Sequence, residues 1–296
     1  MRKAFLQLHG AVLLAGFTGI LGRLITLNEG LLVWYRLLFT ALTLWVLFFL
    51  RKQLKRTSLR EILKITGVGA IAALHWVTFY GSIKYANVSV ALVTFSAIGF
   101  FTAIFEPLIV RKPFNFRELL LGLIAIAGIS LIFHFDPQYK TGIIFGLISA
   151  LLGSLFPIFN SLLLKKHTPE TVTLYELSGG FLFLCCLLPF YLHYVPPTHV
   201  LPTLSDLGWL LVLAWFCTVW AFHLSMNALK KISAFTVNLT YNLEPLYGIA
   251  LAFIVYREDK LLAGSFYIGL SLIVISVLLQ TWFVYRSHKK VVPAVG

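Results

Sequence analysis

Apolar residues run in stretches of about twenty along this chain, each set off by a short polar break. At about 1.5 Å rise per residue, such a stretch crosses the roughly 30 Å hydrocarbon core of a bilayer. The pattern predicts spans over 5–25, 30–50, 61–83, 88–110, 118–135, 142–164, 171–194, 207–227, 234–256 and 262–285. The break Asp136-Pro137-Gln138-Tyr139-Lys140 divides them five and five. An odd number of crossings per half sets the halves antiparallel. The expected fold is an all-α integral membrane protein of ten transmembrane helices in two inverted five-helix repeats, 5–135 and 142–285, with a cytoplasmic tail at 286–296.

Register supports the repeat more than identity does. Setting Lys84 against Lys230 places Thr94 opposite Thr240 and Arg111 opposite Arg257 without a gap, and setting Tyr35 against Tyr175 aligns the second helices. Inverted repeats build their shared site near the bilayer midplane. Gly16, Gly19 and Gly22, and again Gly146, Ala150 and Gly153, form small-residue faces that let helices approach closely, for static packing or for sliding.

Composition agrees: 59% of residues are hydrophobic and 12% charged, against about one quarter charged in a soluble domain. The net charge of +13 does not mark a nucleic-acid surface, because the cations sit at span ends. With the N-terminus in the cytoplasm, 18 Lys and Arg lie inside and five outside, the positive-inside bias, so both termini are expected in the cytoplasm. Met1-Arg2-Lys3 before an apolar run resembles a secretory signal, yet no small-residue cleavage site follows cleanly, and the run is expected to stay as the first helix. Cys185, Cys186 and Cys217 fall inside spans without metal spacing. No metal, cofactor or nucleotide site is expected; Gly67-Val68-Gly69 lacks the strand and spacing of a phosphate loop.

Glu244 lies ten positions into its span, where a carboxylate must face the bundle interior and pair or take a proton. Pro245 removes a backbone donor beside it and predicts a kink, structural or functional; Pro157 is a second candidate kink, next to Asn160. Arg36 and Glu176 occupy equivalent places in the second helices and read equally as functional groups or as structural charges. His75 and Trp76 in the third span and His223 in the eighth, with Tyr35, Trp215, Trp220 and Tyr241, are candidates to line a cavity, against the plainer reading of core histidines and lipid-facing rings. Trp34, Trp209 and Trp282 read as interface anchors.

The run Tyr241-Asn242-Leu243-Glu244-Pro245-Leu246-Tyr247, followed by Tyr256-Arg257-Glu258, together with Arg36, Gly122, Gly128 and Gly264, resembles the EamA-type permeases of the drug/metabolite transporter superfamily. The first half departs from that pattern: Gly99 stands where the family often has a fourth-helix proline, and Lys112 where an acid would follow. The resemblance implies a ten-helix carrier of the inner (cytoplasmic) membrane, commonly exporting amino acids or related compounds. The expected partners are a small-molecule metabolite and membrane lipids, with protons a candidate coupling ion, a homodimer compatible and no nucleic acid. The leading expectation is alternating access without ATP around Glu244, Arg36, Tyr35, His75, Trp76, Tyr241, His223 and Trp220, with kinks at Pro245, Pro157 and Gly99. A channel or lipid-scramblase-like pore is the alternative. A membrane enzyme is disfavoured, since the loop from Val195 to Asp206 holds no evident acid/base pair.

Overall fold

A computed structural model describes residues 2–52, 57–135, 137–232, 234–241 and 243–291. The regular elements among them are all helical: α1 (Arg2–Leu24), α2 (Glu29–Leu50), α3 (Leu59–Tyr85), α4 (Val88–Phe95), α5 (Ile98–Val110), α6 (Phe116–Phe135), α7 (Lys140–Leu163), α8 (Pro169–Tyr194), α9 (Leu204–Ala214), a π-helical turn (Trp215–Trp220), α10 (Ala221–Leu229), α11 (Ala234–Tyr241), α12 (Glu244–Tyr256) and α13 (Gly264–Val291), with short 3₁₀ turns at Pro137–Tyr139 and Glu258–Lys260. Part of the expected tail, 292–296, and Asn242 of the aligned motif lie outside the described residues.

The polar breaks do local work as caps. Asn28 accepts from the Leu31 N–H at 2.9 Å and Asn87 from Val90 N–H at 2.8 Å, each satisfying one of the donors a helix leaves open at its start. Thr203 and Asp206 close a reciprocal capping box at the start of α9,.

Among the described residues eight helical stretches are long and apolar enough to cross a membrane, with α4 and α5 forming one of them; the part of α13 over Gly264–Leu279 and α12 are shorter apolar helices. Large apolar side chains face outward, Phe49 at 71% exposed and Ile254 at 73%, while Arg36, Glu176 and Glu258 are buried. That inversion of the soluble pattern suits a lipid surround.

Two expected spans are interrupted, and at the same register. α4 gives way to α5 at Ser96 and Ala97, and α11 ends at Tyr241 before α12 begins at Glu244. The alignment of Lys84 with Lys230 carries the start of α4 onto that of α11, the start of α5 onto that of α12, and Arg111 onto Arg257. Both arginines adopt the left-handed conformation, φ 59° and 55°, and their N–H groups close on the carbonyls of Pro107 and Phe253, again equivalent positions. The kink expected at Pro245 is therefore a helix start: Pro245 sits in the first turn of α12, where its missing N–H costs nothing,. Gly99 lies in the first turn of α5, whereas α7 runs unbroken through Pro157.

The expected eighth span is not a plain α-helix. Six residues, Trp215–Trp220, form a π-helical turn in which the Thr218 hydroxyl donates to the Leu213 carbonyl at 2.8 Å. The wider turn points Cys217 and Thr218 inward and leaves Trp215 and Trp220 on the outer surface.

Glycine pairs bring helices to backbone contact. A Cβ on Gly69 of α3 would stand 2.0 Å from the Glu176 carbonyl oxygen of α8, and one on Gly180 2.7 Å from the Gly69 carbonyl oxygen. Gly128 of α6 and Gly269 of α13 meet the same way, each 2.6 Å from the other's oxygen. Gly16 and Gly146 of the small-residue faces approach Tyr247 and Thr94.

Candidate functional site

The helix interruptions and the π turn surround one cavity of about 90 Å³. Its wall includes Thr18 of α1, Arg36 of α2, His75 and Trp76 of α3, Asn160 of α7, Cys217 of the π turn, Tyr241 of α11 and Glu244 of α12. On α7, α10 and α11 the lining reaches Asn160, Leu229 and Val237, toward the end of the bundle that carries Lys165 and Lys230.

Arg36 is 2% exposed. Its Nε donates to the Thr218 hydroxyl at 2.7 Å, Nη1 to the Tyr80 hydroxyl at 2.9 Å and Nη2 to the Cys217 carbonyl at 3.3 Å. The guanidinium carbon lies 4.1 Å from the centre of a Trp76 ring, a cation–π contact. The π turn carries two of these acceptors, the Thr218 hydroxyl and the Cys217 carbonyl. An arginine side chain stays charged in proteins, so the cavity has a fixed positive wall.

Glu244 opens α12, buried at 5% exposed. Among the described residues it forms no ion pair within 4.0 Å; it shares the cavity with Arg36 without closing on it. A helix N-terminus favours a negative charge, so the interruption itself provides for this carboxylate.

His75 Nδ1 lies 2.9 Å from both the Ser149 carbonyl and its hydroxyl. The carbonyl accepts, which assigns the hydrogen to Nδ1. The ring packs beside Phe95 and Phe156, at 5.3 and 5.6 Å between centres, tying α3 to α7.

Of the residues expected to converge, Arg36, His75, Trp76, Tyr241 and Glu244 do so. Tyr35 does not: it is half-buried, 4.9 Å edge-on to Trp34 and stacked on Phe39. Trp220 is 52% exposed because the π turn rotates it outward. His223 is exposed and pairs with Asn227 at 2.9 Å. The repeat register carries His75 onto Ala221, which does line the cavity; two positions further is about 200° around a helix, which puts His223 on the far side. Sequence reasoning passed over Tyr80, Thr218 and the place of Asn160 on the wall. Cys217 also lines the cavity, and all three cysteines are free.

The opposite end of the bundle is closed by polar contacts between the halves. Glu258, fully buried, pairs with Arg23 and accepts from the Val88 and Ser89 N–H groups at 3.1 and 2.8 Å and from the Ser89 hydroxyl at 2.5 Å. It thus caps α4 from across the repeat. Asp206 accepts from Thr26 N–H and hydroxyl at 2.7 and 2.8 Å, and the Tyr191 hydroxyl donates to Glu29 at 2.5 Å. The equivalent of Glu258 in the first half is Lys112, which pairs with Glu106 at 2.7 Å.

Comparison with known proteins fits this arrangement. The EamA-like transporter family matches twice, over residues 2–134 and 140–282. An uncharacterized transporter of Haemophilus influenzae is 26% identical over 162 residues, covering 52% of this chain and 53% of its own, so the chain spans about half the length of that relative. An uncharacterized transporter of Archaeoglobus fulgidus is 25% identical over 240 residues, 77% of this chain and 79% of its own. A crystal structure 16% identical in sequence superposes with a TM-score of 0.68 over 95% of this chain and 98% of its own, a likeness of fold alone. With helices suited to a membrane and a cavity between them that holds Arg36 and Glu244, the chain is a multi-pass membrane protein and belongs to the EamA-like transporter family of the drug/metabolite transporter superfamily.

Proposed function

We propose that this protein is a secondary transporter that moves a small metabolite by alternating access, most simply as an exporter of amino acids or related polar or amphipathic compounds. Ten spans in two inverted halves, over 5–135 and 142–285, carry it in the inner membrane with both termini in the cytoplasm. The single observation behind this reading is the shared cavity of Arg36 and Glu244, flanked by two helices interrupted at matching register. A fixed cation and an acid that do not pair offer one site each to a zwitterion: the guanidinium to its carboxylate, Glu244 to its ammonium. Trp76, Phe156 and Phe222 supply apolar wall for a side chain.

Broken helices around a midplane site are where such carriers place substrate and let one bundle rock on the other. The polar contacts at the Glu258 end and the extension of the cavity toward Leu229 support a state open toward the cytoplasm in this topology. The test is counterflow in proteoliposomes with amino acids as labelled solutes. Saturable exchange of labelled for unlabelled solute, abolished by Glu244→Gln in a folded protein, is the expected result. Flux without exchange points to a pore, and unchanged exchange in Glu244→Gln removes that residue from the mechanism.

A further inference from the structure

Arg36 and Glu176 hold matching places in α2 and α8, and the fold treats them oppositely. Arg36 has three hydrogen bonds and an aromatic face. Glu176 is fully buried and receives one hydrogen bond, from Asn160 Nδ2 to Oε1 at 3.1 Å. Among the described residues its Oε2, and Oδ1 of the same Asn160, have no hydrogen-bond partner. Two buried acceptors without donors, one of them on a carboxylate, are costly as they stand.

One proton removes both deficits. On Oε2 it makes Glu176 a neutral acid whose O–H donates to the amide oxygen, while the amide N–H keeps its bond to Oε1. Charge balance asks for the same thing. Set apart from the acids engaged toward the two ends of the bundle, Glu176 and Glu244 are buried with Arg36, two acids against one fixed cation. Glu244 shares the cavity with Arg36, so the negative charge belongs there and the proton on Glu176.

The groups around Glu176 are consistent. On the helices packed against α8, Glu29, Arg60, Glu61, Lys64 and Lys84 stand near helix ends, His75 is engaged by Ser149, Arg36 by its own partners, and His223 is exposed. On α8 itself the other ionisable residues are Glu170, Tyr175, Cys185, Cys186, Tyr191, His193 and Tyr194, and among the described residues none bonds Glu176. Asn160 also lines the cavity, so water there reaches the acid past a single side chain.

We propose that Glu176 and Asn160 form a proton-binding site behind the substrate cavity, and that the proton held there is the coupling ion of transport. Glu176 takes it from cavity water as Oε2–H and returns it to water when the O–H bond breaks. Asn160 is the positioning residue between acid and cavity. The coupling role rests on the transport reading above; the site does not.

Infrared spectroscopy of the full chain in lipid bilayers, without solute and in sodium-free buffer, tests it directly. A protonated-carboxyl stretch is expected near neutral pH, fading as pH rises, absent in Glu176→Gln and retained in Glu244→Gln. Asn160→Leu should move the midpoint of that titration, which a purely structural asparagine would not. As a check on wild-type protein, a hydrophobic carbodiimide should modify Glu176, mapped by peptide mass, and lose that adduct as pH rises. No Glu176-dependent band, or loss of the band on adding Na⁺ at constant pH, overturns the proposal. A missing band leaves counterflow untouched, and absent counterflow leaves the band titrating, so the two failures are distinct.

Discussion

Arg36 shows how a buried charge is made tolerable. Its three hydrogen bonds point in fixed directions to Thr218, Tyr80 and Cys217, and only a planar fork meets all three. Arg36→Lys keeps the charge and loses that geometry. With a charge-assisted hydrogen bond worth about 1.5–3 kcal/mol, the variant is expected to unfold at a clearly lower temperature in detergent, even where the positive charge still holds an anion in the cavity. An unchanged melting temperature would mean the guanidinium contacts carry no stability. Arg36 and Glu244 were legible in the sequence because a charge inside an apolar run is conspicuous. Thr218 and Asn160 were not: a threonine or asparagine in such a run is unremarkable, and its role arises only from what the other half of the chain brings beside it. His223 misled because similarity of register is not identity of face, and a two-position offset turns a side chain across the helix.

At the level of elements, close helix contact depends on individual glycines rather than on glycine content. Gly69 stands against the α8 backbone, while Gly67, two positions away on α3, has open space where a Cβ would go. Gly69→Ala must push α3 and α8 apart, at about 1–3 kcal/mol for overpacking. Gly67→Ala is expected to be neutral or to stabilise by up to about 1 kcal/mol through helix propensity. Thermal unfolding of the two variants side by side checks the contrast, and equal effects would refute the contact. The eight membrane-length stretches were readable from apolar run length to within a few residues, as their bounds show. The interruptions at Ser96 and after Tyr241 were only half readable: proline marked the second, but nothing as plain marks the first. The π turn had no signal, since one extra residue per turn leaves the hydropathy of the segment unchanged.

Across the whole molecule the two ends are built with different chemistry. Glu258 accepts two backbone donors at the start of α4 and pairs with Arg23; Lys112, in the equivalent place, has no acceptor to offer a helix start and turns to Glu106 instead. Glu258→Ala should therefore loosen its own end and shift the population toward the opposite opening. Cys217, on the cavity wall, reports it: with Cys185→Ala and Cys186→Ala as background, a membrane-impermeant maleimide added on the Glu258 side should label Cys217 several-fold faster in the variant than with Glu258 intact. Equal rates would show that this carboxylate does not hold the end shut. A door bolted on one face and merely leaning on the other gives an idle carrier a preferred posture. On the alternating-access reading proposed above, such a protein waits with its binding chamber turned to the cytosolic pool, fills when that pool rises, and otherwise leaves the barrier between cell and surroundings intact.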